Sequence, residues 1–214
     1  AKGAKRPYSQ LRAVLLPFQR IHVNLGRAAR DEASSDVQTL RGAEWAGGAA
    51  MLTGAALFSG FYLNELLMKL LARHDPHTAL FDVYAATLPA LADTDDVAVE
   101  AALRAFELTL LQQIGVLPDL SVDTQTQEPV RPGARYALLP DAGVTAARSD
   151  EDVLTGEALV GLQAALEHGS LPALQQACRP CLAAMKTRLR AVIQHHLGST
   201  TLRTRRVMME LQGL

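Results

Sequence analysis

Two cysteines in 214 residues are too few for a disulfide framework, and no secretory signal opens the chain, so a reducing cytoplasm is the expected compartment. Long apolar runs are missing too. The best stretch, residues 43–71, is interrupted by Glu44, Asn64, Glu65 and Lys69, which excludes a membrane span and a membrane partner. Aromatic residues make up only 5% of the chain, too few for an extensive base-stacking platform, so any nucleic-acid binding must be mainly electrostatic. No Walker loop, dinucleotide fingerprint, nucleophile elbow or His-Glu-x-x-His occurs, and nothing in the motifs calls for a cofactor.

Acids are absent from both ends. Residues 1–30 carry Lys2, Lys5, Arg6, Arg12, Arg20, Arg27 and Arg30, and residues 168–209 carry Arg179, Lys186, Arg188, Arg190, Arg203, Arg205 and Arg206, in neither case with an acidic residue. The middle holds seven bases against twenty-one acids, so the formal net charge of -1 conceals two basic segments. Brought onto one face, they would form a polyanion site beside an acidic body, the electrostatic footprint of a nucleic-acid binder. Solvated tails would carry the same charge.

The texture changes along the chain. Leu11 to Leu16 predicts a short helix, Phe18 to Leu25 a half-buried strand, residues 30–35 a hairpin loop, and Val37 to Leu40 a second short strand. From Gly48 to about His74 apolar residues recur at helical spacing, with Leu63, Leu66, Leu67 and Leu70 on one stripe. Asp75-Pro76 predicts an N-cap and first turn for a helix to about Leu91, and Asp93 to Asp96 opens another that runs to Gln113 and closes at Gly115. Prolines at 118, 129, 132 and 140 mark residues 117–148 as an irregular insertion with a short strand at Arg135 to Leu139. Helices resume at Thr155 to His168, from Leu171 through Arg179 to Leu197, and from Thr201 to Gln212.

Cys178-Arg179-Pro180-Cys181 is half of a zinc-ribbon or redox motif without a second pair, and helix-embedded cysteines are usually small core residues, so no metal site is expected. His195-His196, at a helix end, is read as a cap on terminal carbonyls.

Phe61-Tyr62-Leu63-Asn64-Glu65-Leu66-Leu67 resembles the DNA repair protein family RecO, and further segments agree in order. They are Ala1 to Ala4 with its basic continuation, Leu15 to Phe18, Thr39 to Glu44, Ala102 to Leu108 with Leu110-Leu111, and Leu197-Gly198 through Arg205-Arg206. The resemblance implies an α+β chain: the later part of an N-terminal OB-fold at 1–46, whose first strands would precede Ala1, and a mainly α-helical domain at 47–214. Many relatives hold zinc with four cysteines in the insertion; residues 117–148 have none.

The same resemblance implies a recombination mediator, not an enzyme, bacterial and nucleoid-associated. Such proteins bind single- and double-stranded DNA, anneal complementary strands, and act with RecR to load RecA on gaps coated with single-strand-binding protein. The family's DNA surface maps onto Lys2, Lys5, Arg6 and Arg12, and charge extends it to Lys186, Arg188, Arg190, Arg203, Arg205 and Arg206. Relatives also bind the C-terminal tail of single-strand-binding protein on the helical domain. Leu103, Arg104, Phe106 and Leu110 are the candidates here, with Arg104 taking the terminal carboxylate unless it pairs with Glu100 or Glu107 on its own helix. The alternative is a helical DNA-binding transcription regulator, for which no convincing helix-turn-helix is present.

Overall fold

A computed structural model describes residues 6, 8–26, 39–48, 51–198, 202–204 and 206–207. They belong to two compact units, residues 1–51 and 52–214, and the chain is α+β. In the first unit a short helix α1 (Gln10–Val14) precedes an antiparallel pair, β1 (Ile21–Leu25) and β2 (Leu40–Trp45). Ile21 stands opposite Trp45 and Val23 opposite Ala43, and the register slips at Asn24/Leu25. An OB-fold is a five-stranded barrel; among the described residues this unit contributes two strands. The second strand lies later than its expected Val37 to Leu40, and the expected hairpin loop at 30–35 falls outside the described residues.

The second unit is built on helices α2 (Gly54–Leu70), α3 (Thr78–Ala90), α4 (Asp96–Gln113), α5 (Gly156–His168), α6 (Leu171–Cys178) and α7 (Leu182–Leu197). Helix α4 is central. Ala101, Ala102, Ala105, Phe106, Leu108, Leu110 and Leu111 are all buried, with only Leu103 and Thr109 half-buried over these turns, and it packs against α3, α6 and α7. Leu63 and Leu66 of α2 and Leu189 and Ile193 of α7 are buried with them. Each fully buried leucine contributes roughly 1.5–3 kcal/mol relative to exposure. No helix among the described residues is long and apolar enough to cross a membrane.

Helix ends depart from expectation where side-chain chemistry took another route. Helix α2 stops at Leu70, not near His74, because Leu71 adopts extended backbone. Asp75 does not cap α3: His77 holds the cap position without a side-chain bond, and the Asp75 carboxylate stands 3.3 Å from His77 Nε2. By contrast Asp95 caps α4 by accepting from the Val97 N–H at 2.9 Å, and Thr155 and Ser170 cap α5 and α6. The helix expected through Arg179 is interrupted, since Pro180 supplies no N–H and residues Arg179–Cys181 form a 3-10 turn between α6 and α7. His195 does not cap α7; its Nδ1 lies 3.4 Å from the Asp141 carboxylate.

The insertion is more ordered than its prolines suggest. Strands β3 (Arg135–Leu139), β4 (Gly143–Ala146) and β5 (Leu154–Thr155) form an antiparallel sheet in the order β4-β3-β5, with Leu138, Val144 and Leu154 buried. The loop before it is held by short polar bonds. Asp123 accepts from the N–H groups of Gln125 and Thr126, Asp119 from that of Ser121, the Tyr136 hydroxyl from that of Arg131 at 2.9 Å, and Gln163 of α5 from that of Leu120 at 3.0 Å.

Candidate functional site

The two helical segments that carry the family resemblance meet in the core. From α2, the Tyr62 hydroxyl donates to Glu107 Oε1 of α4 at 2.7 Å, and Arg104 Nη1 lies 2.7 Å from Glu107 Oε2. The second contact is an ion pair without hydrogen-bond alignment, for Glu107 Oε2 and Arg104 Nε are both buried with no hydrogen-bond partner. Burial pushes the Glu107 carboxyl above its ordinary value, against the opposing pull of Arg104, the Tyr62 bond and Lys186. A charged pair this deep is costly unless each member stays paired, so Arg104 and Glu107 act as one unit.

Above this pair opens a cavity of about 290 Å³ between α2, α4, α7 and residues 202–204. Leu103, Ile193 and Leu202 form its apolar walls, and Tyr62, Arg104, Lys186, Arg190 and Thr204 bring polar groups to it. Lys186 reaches across from α7 to Glu100 Oε1 at 2.7 Å. Glu100 also lines the hollow and pairs with Lys186, so the cations that a carboxylate held among the apolar walls would meet are Arg104, nine-tenths buried and paired with Glu107, and Arg190 on the rim. A larger cavity of about 420 Å³, between the end of α2 and the start of α3, is lined by Leu67, Leu71, Leu80, Phe81 and Tyr84 and lacks such a cluster of cations.

Of the residues proposed from sequence for a protein partner, Leu103 and Arg104 line the cavity. Phe106 and Leu110 do not: neither has exposed surface, because they fall on the faces of α4 turned into the core. Arg104 pairs with Glu107 rather than Glu100. Sequence reasoning gave Tyr62 no role, offered Glu107 only as an alternative partner for Arg104, and placed Lys186 among the DNA contacts. An acid at the centre of an apolar helix was the available signal, since it demands a partner.

The DNA candidates are scattered in role. Lys2, Lys5 and Arg205 lie outside the described residues. Arg6 and Arg12 are exposed in the first unit, and Arg203 and Arg206 are exposed in the second. Lys186 is committed to Glu100, and Arg190 lies on the cavity rim. Arg188 is structural: its Nε donates to the Asp152 carbonyl at 2.8 Å and Nη2 to the Glu151 carbonyl at 3.0 Å, bracing a loop in which Asp152 has φ of 49°.

The residues present do not fit zinc. The insertion has no cysteine or histidine, and its Asp119 and Asp123 carboxylates are turned onto local backbone N–H groups. Cys178 and Cys181 are buried free thiols. Desolvation raises both, that of Cys181 to about 11, which disfavours the thiolates a metal requires.

A family model described as "Recombination protein O C terminal" matches residues 51–206. Among curated relatives, proteins named "DNA repair protein RecO" from Verminephrobacter eiseniae and Polaromonas sp. strain JS666 are 48% and 47% identical over 216 residues, covering all of this chain and 84% of theirs. One of the same name from Acidovorax ebreus is 48% identical over 225 residues, covering all of this chain and 85% of its own.

Proposed function

The chain belongs to the RecO family of DNA repair proteins, and from that premise we propose that it works by binding DNA and a protein partner through separate surfaces. The family's part in repair and recombination is that of a mediator and not of an enzyme. In this reading the chain binds single- and double-stranded DNA, anneals complementary strands, and helps RecR load RecA on gaps coated with single-strand-binding protein. Lys2, Lys5, Arg6 and Arg12, on an N-terminal unit of OB type, and Arg203, Arg205 and Arg206 of the helical unit are the proposed DNA contacts. The segregation of charge to the two ends supports this, and affinity of that origin is tolerant of sequence and sensitive to salt. Lys186, Arg188 and Arg190 are better employed in and around the helical unit. With the family assigned, nothing specific favours a transcription regulator.

The observation that carries the partner half is the cavity over Arg104. The tail of single-strand-binding protein ends in acidic residues, a small apolar group and a phenylalanine carboxylate. An apolar hollow with the Arg104 guanidinium at its base and Arg190 at its lip complements the apolar group and the carboxylate. Removing Arg104 alone would strand the buried Glu107 charge, so the test is made in a Glu107→Gln background. There Arg104→Ala should cost about 1.5–3 kcal/mol of tail-peptide affinity in calorimetric titration, the range for a hydrogen bond to a charged group, with DNA affinity largely unchanged. Equal peptide affinities in the two variants would move the site elsewhere.

A further inference from the structure

One wall of the cavity has a fastening that is not itself part of the lining. Leu202, with 7% of its surface exposed, and Thr204 form that wall. Their segment is held by Glu65 of α2. The Arg203 N–H donates to Glu65 Oε1 at 2.8 Å, the Thr204 N–H to Oε2 at 2.9 Å, and the Thr204 hydroxyl to the same oxygen at 2.8 Å. Lys69 Nζ, one turn along α2, sits 3.2 Å from Oε1. Both carboxylate oxygens are thus engaged, and they satisfy backbone donors that a helical start cannot satisfy within its own segment.

We infer that Glu65 is a positioning residue for the cavity: its carboxylate latches residues 202–204 in place as a wall, and peptide binding is coupled to closure of that latch. The inference rests on the reading of the cavity as the peptide site. Without the carboxylate the Arg203 and Thr204 N–H groups turn to water and the wall spends time open. A ligand that needs Leu202 and Thr204 in place then binds only the closed fraction, and its apparent affinity falls in proportion. Conversely, a bound peptide holds the wall closed and protects the latch from exchange.

The test titrates a synthetic peptide bearing the acidic, apolar, phenylalanine-terminated tail sequence into the full chain and its Glu65→Ala variant. If the wall is closed about a tenth of the time without its latch, Glu65→Ala binds about tenfold more weakly. Glu65→Gln, which keeps an acceptor oxygen, falls between, and it carries the comparison if the alanine variant does not fold. Amide exchange supplies a readout that general destabilisation would not produce: peptide slows exchange at Arg203 and Thr204 in the wild type and leaves it fast in Glu65→Ala. Equal affinity of wild type and both variants overturns the latch while sparing the cavity. A wild type that does not bind overturns both, and the two failures are told apart by that first titration.

Discussion

Within the segment from Phe61 to Leu67 each polar side chain reaches a different element. Tyr62 bonds Glu107 of α4, Asn64 accepts from the Tyr84 hydroxyl of α3 at 2.5 Å, and Glu65 holds residues 203–204, while Leu63 and Leu66 fill the core between them. One helical stretch therefore fixes three neighbours by polar bonds whose partners lie 20 to 139 residues away. Burial pushes the Tyr84 phenol up to about 12 in spite of its bond to Asn64. Glu65 moves the other way. Burial alone would raise it, but the N–H groups of Thr204 and Arg203, the Thr204 hydroxyl and Lys69 outweigh that and hold its carboxyl down to about 2, from an ordinary 4.5. A carboxyl lowered in the folded state contributes stability that is complete above 4.5 and is lost as pH falls toward 2. The Glu65 carboxyl carbon should accordingly titrate near 2 in carbon-13 NMR, with the Thr204 amide shift moving in step. Titration near 4.5 would mean that the latch is open in solution.

At the level of elements, the ends that sequence made legible are those written in local chemistry. The openings of α4, α5 and α6 were legible, and Asp95, Thr155 and Ser170 cap them by accepting from an N–H two or three residues on, which needs no tertiary partner; Asp75, the cap expected from the same chemistry, does not hold that position in α3. Strand β3 was readable for its β-prone Tyr136 to Leu139, but β4 and β5 were not: four and two residues long, they exist because β3 lies between them. The cavity was half legible. Leu103 and Arg104 could be named from one helix, whereas Tyr62, Lys186 and Leu202 come from elements whose meeting is a matter of packing. The same packing gives Gly156 a role that sequence does not reveal. It opens α5 directly against the Arg131 carbonyl, where a Cβ would collide with backbone, and its N–H donates to the Ala134 carbonyl at 3.0 Å. Gly156→Ala should therefore destabilise the helical unit by about 1–3 kcal/mol, the range for overpacking, although alanine is the better helix former. Thermal denaturation of the two proteins decides, and an unchanged or higher midpoint would show that the insertion shifts freely.

For the whole molecule, the division of charge and the division into units run together only in part. The first basic end lies in the unit of residues 1–51, but the second lies in the helical unit, where Arg188 and Lys186 are drawn into structural contacts. A bulk charge count could not separate bases that hold the fold from bases that face solvent, which is why the family resemblance read at separate segments said more than composition did. The proposed function puts two capacities in one chain, contact with phosphate backbones and contact with the protein that coats them. Annealing of complementary strands coated with single-strand-binding protein, followed by loss of fluorescence from a donor on one strand as it pairs with an acceptor on the other, tests both together. The chain should accelerate annealing of coated strands, and acceleration on coated but not naked strands should be lost when single-strand-binding protein lacks its C-terminal tail. No acceleration on either kind of strand, or acceleration of coated strands that is indifferent to the tail, would contradict the proposed function.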